Sequence, residues 1–215
     1  MKKLASTLPN MILSLGTITI VAGAILGATY AATKEPIAKQ QQMQQEAAIA
    51  SVAPKFDNNP EAEKWETDID GQTYTVYPAR ENGKLVGAAV KGATMSGFAG
   101  EIVVMCGFEA DGTVKDYRVL QQAETPGLGT KMEEWFRDPT GARSVIGKNP
   151  GTVDFHVTKD QGAIDGITAA TISSRAFLGV MRHAYKAFLK YENNGNDAEE
   201  SHESDGSTGA SAKGH

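Results

Sequence analysis

The chain has 215 residues, of which 40% are hydrophobic, and a formal net charge of −5 at pH 7. This length allows one globular domain with additional segments, and the acidic balance gives no basic footprint for nucleic acid. Because the sequence contains one cysteine, no disulfide can form within the chain.

An apolar segment near the N-terminus is the first predicted element. The stretch from Met11 to Ala32 contains no charged residue, and it is long enough for a helix to cross a hydrocarbon core of ~30 Å. We interpret residues 11–32 as an uncleaved membrane anchor. A cleaved signal peptide usually has a shorter apolar region, but residues 28–32, which include the small residues Ala28, Ala31 and Ala32, resemble a cleavage site and keep that alternative open.

The charged residues that flank this segment indicate its orientation in the membrane. Lys2 and Lys3 precede it, and Lys34 and Lys39 follow it. The positive-inside rule therefore modestly favours a cytoplasmic N-terminus over residues 1–10. The large domain would then lie outside the cytoplasm.

A stalk or linker is predicted over residues 33–70. The run from Lys39 to Ala53 is rich in Gln and Ala and has no strong apolar stripe. This composition favours a helical spacer over an element of a folded core.

Strand-like patterns follow at residues 73–77, 85–90, 101–108 and 114–120. Asn82-Gly83 and Asp111-Gly112 are turn signals between them, so two consecutive β-hairpins with antiparallel pairing are expected. Cys106 lies in an apolar run, where it is expected to be a small buried hydrophobe. Since the sequence has no Cys and His cluster, we expect no zinc or iron–sulfur site.

A glycine-rich loop, from Glu124 to Lys131, comes after the second hairpin. Pro126 and Gly127 fit the central positions of a type II turn. Gly127 and Gly129 allow a ligand to approach backbone N–H groups that side chains would otherwise shield. An ordinary connecting turn is the alternative interpretation.

The next two elements are short. Residues 131–137 form a helix candidate that ends at Asp138-Pro139. Residues 152–157 alternate like a strand and carry His156.

The turn over residues 165–174 carries several hydroxyl groups and leads directly into a long amphipathic helix. Small residues and hydroxyls can cap a helix, and the free N–H groups and macrodipole of a first helical turn favour a bound anion. This turn therefore predicts either a phosphate site or an ordinary helix cap.

The long helix has an apolar face that is expected to pack and a basic face that meets water. Asn193, Asn194 and Gly195 supply a predicted stop signal. The apolar face consists of Ile172, Ala176, Val180, Met181, Ala184 and Phe188, and the opposite face carries Arg175, Arg182, Lys186 and Lys190.

The order of elements predicts an α+β fold, with a mostly antiparallel sheet and flanking helices, preceded by one transmembrane helix. The globular domain is expected over residues 71–191. Residues 192–215 are dominated by Gly, Ser, Asn, Asp and Glu, a composition that cannot bury a core. We therefore predict a disordered acidic tail there.

Two of these segments resemble one known family. Residues 165–171 match the flavinylation motif Asp-x-x-(Ser/Thr)-(Gly/Ala)-Ala-Thr of FMN-binding domains, and residues 124–129 resemble that family's other signature loop. The resemblance covers about residues 71–190. The single anchor is similar to that of the G subunits of Rnf electron-transport complexes. The C subunit of the sodium-pumping NADH:quinone oxidoreductase is a close relative with a typically longer chain.

The resemblance implies an FMN that is joined through its phosphate to the hydroxyl of Thr171 by a separate flavin transferase acting outside the cytoplasm. It implies neither a catalytic residue nor a metal ligand in this chain. From the residues alone, Asp165 could equally be a turn residue and Thr168 the helix N-cap. The residues that the resemblance assigns to the flavin site are Glu124, Thr125, Gly127, Leu128, Gly129, Asp165, Thr168, Ala170 and Thr171.

The implied function is electron relay by a single-pass subunit of the inner (cytoplasmic) membrane, with its C-terminal domain on the periplasmic side. The assembled Rnf-type complex would exchange electrons between ferredoxin and NAD and couple that flow to export of Na⁺ or H⁺. Its partners would be the other membrane subunits, one carrying another flavin, and the iron–sulfur and NADH-reactive subunits. The bilayer would contact residues 11–32.

Three other functions are open. The chain could be the C-type flavin subunit of the sodium-pumping oxidoreductase, or a non-redox FMN sensor or interaction module. It could also be a hydrolase in which Thr171 or Ser173 is the nucleophile and His156 or His183 the base. His183 is about three helical turns from Thr171, too far for a hydrogen bond, and the sequence lacks a nucleophile elbow.

Overall fold

A computed structural model describes residues 7–204 of the chain. The chain divides into two compact units between Gln45 and Glu46. Helix α1, Leu8–Val52, crosses this division. The second unit contains strands β1 (Trp65–Ile69), β2 (Gln72–Glu81), β3 (Lys84–Thr94), β4 (Ile102–Glu109) and β5 (Val114–Gln121), followed by helices α2 (Met132–Trp135) and α3 (Thr171–Ser204).

The first unit ends at Gln45 and contains the apolar part of α1. This helix is long and apolar enough to cross a membrane, and large hydrophobic side chains such as Leu15 and Ile25 are exposed along it. A helix with exposed apolar side chains on all sides matches lipid better than water. The predicted span over residues 11–32 lies within this helix.

The sheet is an antiparallel meander in the order β1-β2-β3-β4-β5. Both predicted hairpins are confirmed as the β2–β3 and β4–β5 pairs. Asn82 and Gly83 have φ angles of 52° and 79°, which is the geometry of a type I′ hairpin turn. The α+β fold class is therefore also confirmed.

Strand β1 was missed in the sequence, because residues 33–70 were interpreted as a linker. It pairs with β2 through a tight turn in which Asp70 and Gly71 have φ angles of 54° and 79°. Asp-Gly is a strong hairpin signal, and it marks this strand in the sequence.

One face of the sheet packs against α3. In β4 the side chains of Val104, Cys106 and Phe108 are fully buried in the main core, which α3 closes with Phe177 and Phe188. Full burial of each aromatic side chain contributes roughly 1.5–3 kcal/mol. Burial raises the pKa of the Cys106 thiol, so the predicted role of this residue as a small hydrophobe is confirmed.

The opposite face of the sheet is covered by the last turns of α1. Ile49 and Val52 are buried there against Met105, and Lys115 Nζ donates a hydrogen bond to the Ala53 carbonyl at 2.5 Å. The prediction that residues 39–53 are a spacer outside the core is therefore wrong for the end of this segment. The few apolar residues there gave too short a stripe to be recognised.

Helix α3 differs from its prediction at both ends. It continues to Ser204, so the stop signal at residues 193–195 does not end it, and residues 205–215 of the predicted tail lie outside the described residues. At its start, Ile172 is 46% exposed, although the periodicity placed it on the packed face. At the C-terminal end, continued backbone hydrogen bonding outweighs the weak helix propensity of Asn and Gly.

The strand predicted over residues 152–157 is wrong. Val157 forms an isolated parallel bridge with Ile164, and the carbonyls of Asp154 and Val157 accept hydrogen bonds from Ala163 and Gly162. Local turns thus use the backbone groups that a strand would need. The short helix predicted over residues 131–137 is present as a 3₁₀ turn, Gly129–Lys131, followed by α2.

Gly107 provides a test of the contact between α1 and the sheet. A Cβ atom at this position would lie 2.0 Å from the Val52 carbonyl oxygen. We expect Gly107→Ala to lower the free energy of unfolding by about 1–3 kcal/mol, because the backbone must shift. Thermal unfolding of the full chain in detergent measures this change.

Gly179→Ala is the matched control, because a Cβ atom there has its nearest neighbour at 3.9 Å. This change should raise the free energy of unfolding by about 0.5–1 kcal/mol through helix propensity. Equal melting temperatures for the two variants would contradict the close contact at Gly107.

Candidate functional site

A cavity of about 290 Å³ opens beside the first turn of α3. Two segments that are distant in sequence, the loop after β5 and the turn before α3, meet there as the sequence analysis anticipated. The cavity is lined by Phe98, Glu124, Thr125, Leu128, Gly129, Ala169, Ala170, Thr171, Ile172 and Ser173. Phe98 and Ile172 were not among the predicted site residues; both are exposed apolar side chains.

The loop after β5 contains the predicted type II turn. Leu128 N donates to the Thr125 carbonyl at 3.1 Å, and Gly127 has a φ of 75°, as the third residue of such a turn requires. The N–H of Gly127 donates to Thr130 Oγ1. Gly127 therefore shapes the loop from outside the cavity, while Thr125 and Leu128 line it.

Glu124 joins three segments at the base of the cavity. Its side chain is 4% exposed. One carboxylate oxygen accepts a hydrogen bond from Ala99 N at 3.1 Å, and the other accepts from Ser173 Oγ at 2.5 Å. Because a buried carboxylate without hydrogen bonds is costly, these two bonds fix the positions of all three segments.

Gly129 is required by the same contact. A Cβ atom at this position would lie 2.6 Å from Ser173 Oγ and 2.7 Å from Glu124 Oε2. Any side chain would separate the loop from α3. The glycine permits close approach of the Glu124–Ser173 pair, and approach of a ligand to its backbone N–H group stays a prediction.

The turn before α3 is held by a buried serine. Ser174 Oγ accepts from Ile167 N and donates to the Ala170 carbonyl, both at 2.9 Å. Because α3 begins at Thr171, Thr168 lies too far ahead of it to be its N-cap. The first turn contains no acidic residue, so the helix dipole there is available to stabilise an external anion.

Thr171 lies between the first cavity and a second, more polar one of about 330 Å³. Lys159 lines the second cavity, and its Nζ donates to Thr171 Oγ1 at 3.2 Å. The sequence analysis missed Lys159, because a lysine in a short polar segment has no distinguishing pattern. Thr171 thus contacts the Lys159 ammonium group and also lines the apolar first cavity.

Asp165 and Thr168 line the second cavity and not the first. The Asp165 carboxylate accepts hydrogen bonds from Ala142 N at 3.1 Å and from Thr158 Oγ1 at 3.2 Å. Its carbonyl accepts from Trp135 Nε1 at 2.8 Å. Asp165 therefore organises the loops around the turn.

Ala169 adopts a left-handed backbone conformation with a φ of 62°. This conformation costs a residue with a Cβ atom roughly 1–2 kcal/mol, and glycine would adopt it without strain. The observation explains why the flavinylation motif accepts glycine at this position. Ala169 lines both cavities.

Neither histidine proposed as a hydrolase base lines the first cavity. The exposed His156 ring contacts Asp154, and His183 Nε2 lies 3.3 Å from Asp70 Oδ2. Burial lowers the pKa of His183. Among the side chains that the structure describes, no group of three or more His, Cys, Asp or Glu could hold a metal ion.

Comparison with known proteins identifies matches over both units. A family model described as the FMN-binding domain matches residues 97–186, and one described as the RnfG N-terminal region matches residues 13–52. These matches confirm the resemblance that the two motifs indicated.

Curated relatives give the same result over most of the chain. The chain is 34% identical over 189 residues to the G subunit of the ion-translocating oxidoreductase complex of Aliivibrio fischeri (strain MJ11), covering 83% of this chain and 89% of that protein. It is 33% identical over 186 residues to the protein of the same name from Cereibacter sphaeroides (strain ATCC 17023), covering 83% of each chain.

The role of Glu124 can be tested by two substitutions. Glu124→Ala leaves Ala99 N–H and the Ser173 hydroxyl without their acceptor, and we expect it to lower the free energy of unfolding by about 2 kcal/mol. Glu124→Gln keeps the shape and one carbonyl acceptor, so its loss should be less than half as large. Thermal unfolding in detergent compares the two variants. Equal losses of unfolding free energy would contradict the proposal that Glu124 accepts both hydrogen bonds.

Proposed function

Because this chain belongs to the family of G subunits of ion-translocating oxidoreductase complexes, we propose that it relays electrons through an FMN joined by a phosphoester bond to Thr171. The FMN-binding domain and the family support an electron-transfer role in an ion-translocating complex. The covalent bond, the transferase that makes it and the ion that is moved are parts of the proposal.

The position of the Thr171 hydroxyl is the observation that carries this proposal. It lies at the start of α3, between an apolar cavity and a polar one, and 3.2 Å from Lys159 Nζ. A phosphodiester formed on this oxygen would be next to a cation and to the N-terminus of a long helix, which both stabilise negative charge.

The residues present fit an FMN in both parts of the site. Phe98, Leu128 and Ile172 offer apolar side chains for a flat ring on the first side. The second side offers the hydroxyls of Thr158 and Thr168 for a polar chain. When bound, FMN supplies the capacity to accept and donate electrons, which protein side chains lack.

The chain's own groups would position and shield this cofactor. The Glu124–Ser173 hydrogen bond holds the loop against α3, so the cavity keeps its shape. The apolar wall of the first cavity would limit the access of water to the ring. A covalent bond would prevent loss of the cofactor outside the cytoplasm, where we propose that the domain lies, with residues 11–32 as its single membrane span.

A denaturing gel tests the covalent bond. Protein co-expressed with its flavin transferase should keep yellow fluorescence in the gel, and Thr171→Ala should abolish it, because the acceptor oxygen is gone. Thr168→Ala is the matched control and should retain fluorescence. Intact mass provides the FMN increment directly. An increment that persists in Thr171→Ala would refute the assignment.

The proposed ion pair between Lys159 and the phosphodiester predicts a stability difference. In the wild-type chain, flavin loading should raise the melting temperature, and Lys159→Gln should reduce that rise by about 1–3 °C, as expected for an exposed ion pair. Lys159→Arg should retain the full rise in melting temperature, because the positive charge is kept. Differential scanning fluorimetry of loaded and flavin-free protein measures this effect.

Lys131→Gln serves as the control, since this cation belongs to the 3₁₀ turn Gly129–Lys131 and lines neither cavity around Thr171. Added salt should reduce the Lys159 effect by screening. An identical loading effect in Lys159→Gln and the wild type would exclude the ion pair while leaving the Thr171 bond untouched.

A further inference from the structure

A groove of about 450 Å³, separate from the two cavities around Thr171, runs along one side of α3. We call it the α3 groove. Its helical wall includes Arg175, Gly179, Arg182 and His183, and its strand wall includes Gln72 and Thr94. Among the residues that the structure describes, no Asp or Glu lines it.

Two of the basic side chains in this groove already have acidic partners. Arg175 donates two hydrogen bonds to the Asp160 carboxylate, each at 2.7 Å. His183 lies 3.3 Å from Asp70 Oδ2, which also pairs with Lys186. The charge of Arg175 is therefore largely neutralised by the protein itself, and His183 is already in contact with a carboxylate.

Arg182 differs from them. Its half-buried guanidinium donates from Nη1 to the Phe155 carbonyl at 2.6 Å. Among the described side chains, which end at Asn194, no carboxylate lies within 4.0 Å of it, and Asp154 attracts it only over a longer distance. Burial lowers the pKa of Arg182. A guanidinium has five N–H donors in a planar fork, and the bond to Phe155 uses one of them.

A partly buried charge of this kind is stabilised by a bound counter-charge. The planar fork of arginine matches the two oxygens of a carboxylate or phosphate. Gln72 and Thr94 provide additional polar groups on the opposite wall, and Ala176 and Val180 provide an apolar floor. The volume is within the range of small-molecule sites.

We propose that the α3 groove binds a small organic oxyanion, a carboxylate or phosphate ester, with Arg182 as its principal anchor. The site is distinct from the acceptor hydroxyl of Thr171, although Ile172 lines both the groove and the first cavity. The proposal does not require FMN to be attached, so it stands or falls independently of the proposed function.

Thermal unfolding of the flavin-free full chain in non-ionic detergent tests the site. Citrate and inorganic phosphate are titrated against sodium chloride at equal ionic strength. A saturable rise in melting temperature is expected for at least one oxyanion and not for chloride. Arg182→Gln should weaken the apparent affinity about tenfold or more, because charge-assisted bonds are lost.

Gly179→Leu separates loss of binding from loss of folding. The leucine side chain would enter the groove, where a Cβ atom has Arg182 Nη2 as its nearest neighbour at 3.9 Å, while helix propensity improves. This variant should fold and lose oxyanion binding. Lys190→Gln, an exposed cation of the same helix, should bind as the wild type does.

Three results would overturn the proposal. The first is a melting temperature that responds to chloride and to oxyanions alike. The second is an oxyanion effect that both Arg182→Gln and Gly179→Leu retain. The third is a rise produced by vesicles containing phosphatidylglycerol but by no soluble oxyanion, which would assign the groove to a lipid headgroup.

Discussion

The candidate site depends on one buried carboxylate. Glu124 accepts hydrogen bonds from the segment after β3 and from α3 while it belongs to the loop after β5. These segments are separated by 25 and 49 residues in the chain, so no local preference can hold them together. Gly129 permits the arrangement because any side chain would occupy the same space. The cavity is therefore a consequence of a long-range polar contact between otherwise independent loops.

Residue patterns predicted the parts of the fold that local chemistry determines. The hairpins follow from Asn-Gly and Asp-Gly turns, and the turn at Pro126-Gly127 follows from the demand for a positive φ. The buried face of α3 follows from the helical spacing of its apolar residues. The two signature segments of the site were identified by their resemblance to the FMN-binding family, since the residues alone also allowed an ordinary helix cap and a connecting turn.

The remaining features depend on contacts that no short window contains. Residues 48–53 are apolar at too few positions to predict burial, and they become core because Gly107 lets α1 approach the sheet. Residues 152–157 alternate like a strand, but turns within the loop satisfy their backbone groups. Lys159 becomes part of the site only because the loop brings it to Thr171.

The left-handed conformation of Ala169 has a consequence for maturation under the proposed attachment. Strain of roughly 1–2 kcal/mol in the turn before α3 lowers the free energy of any local opening that relaxes it. Under that proposal, a transferase would have to reach the hydroxyl of the half-buried Thr171, and a turn that opens more readily than its surroundings would present this oxygen more often. The strain at Ala169 would then make the finished site less rigid and the unmodified chain more accessible.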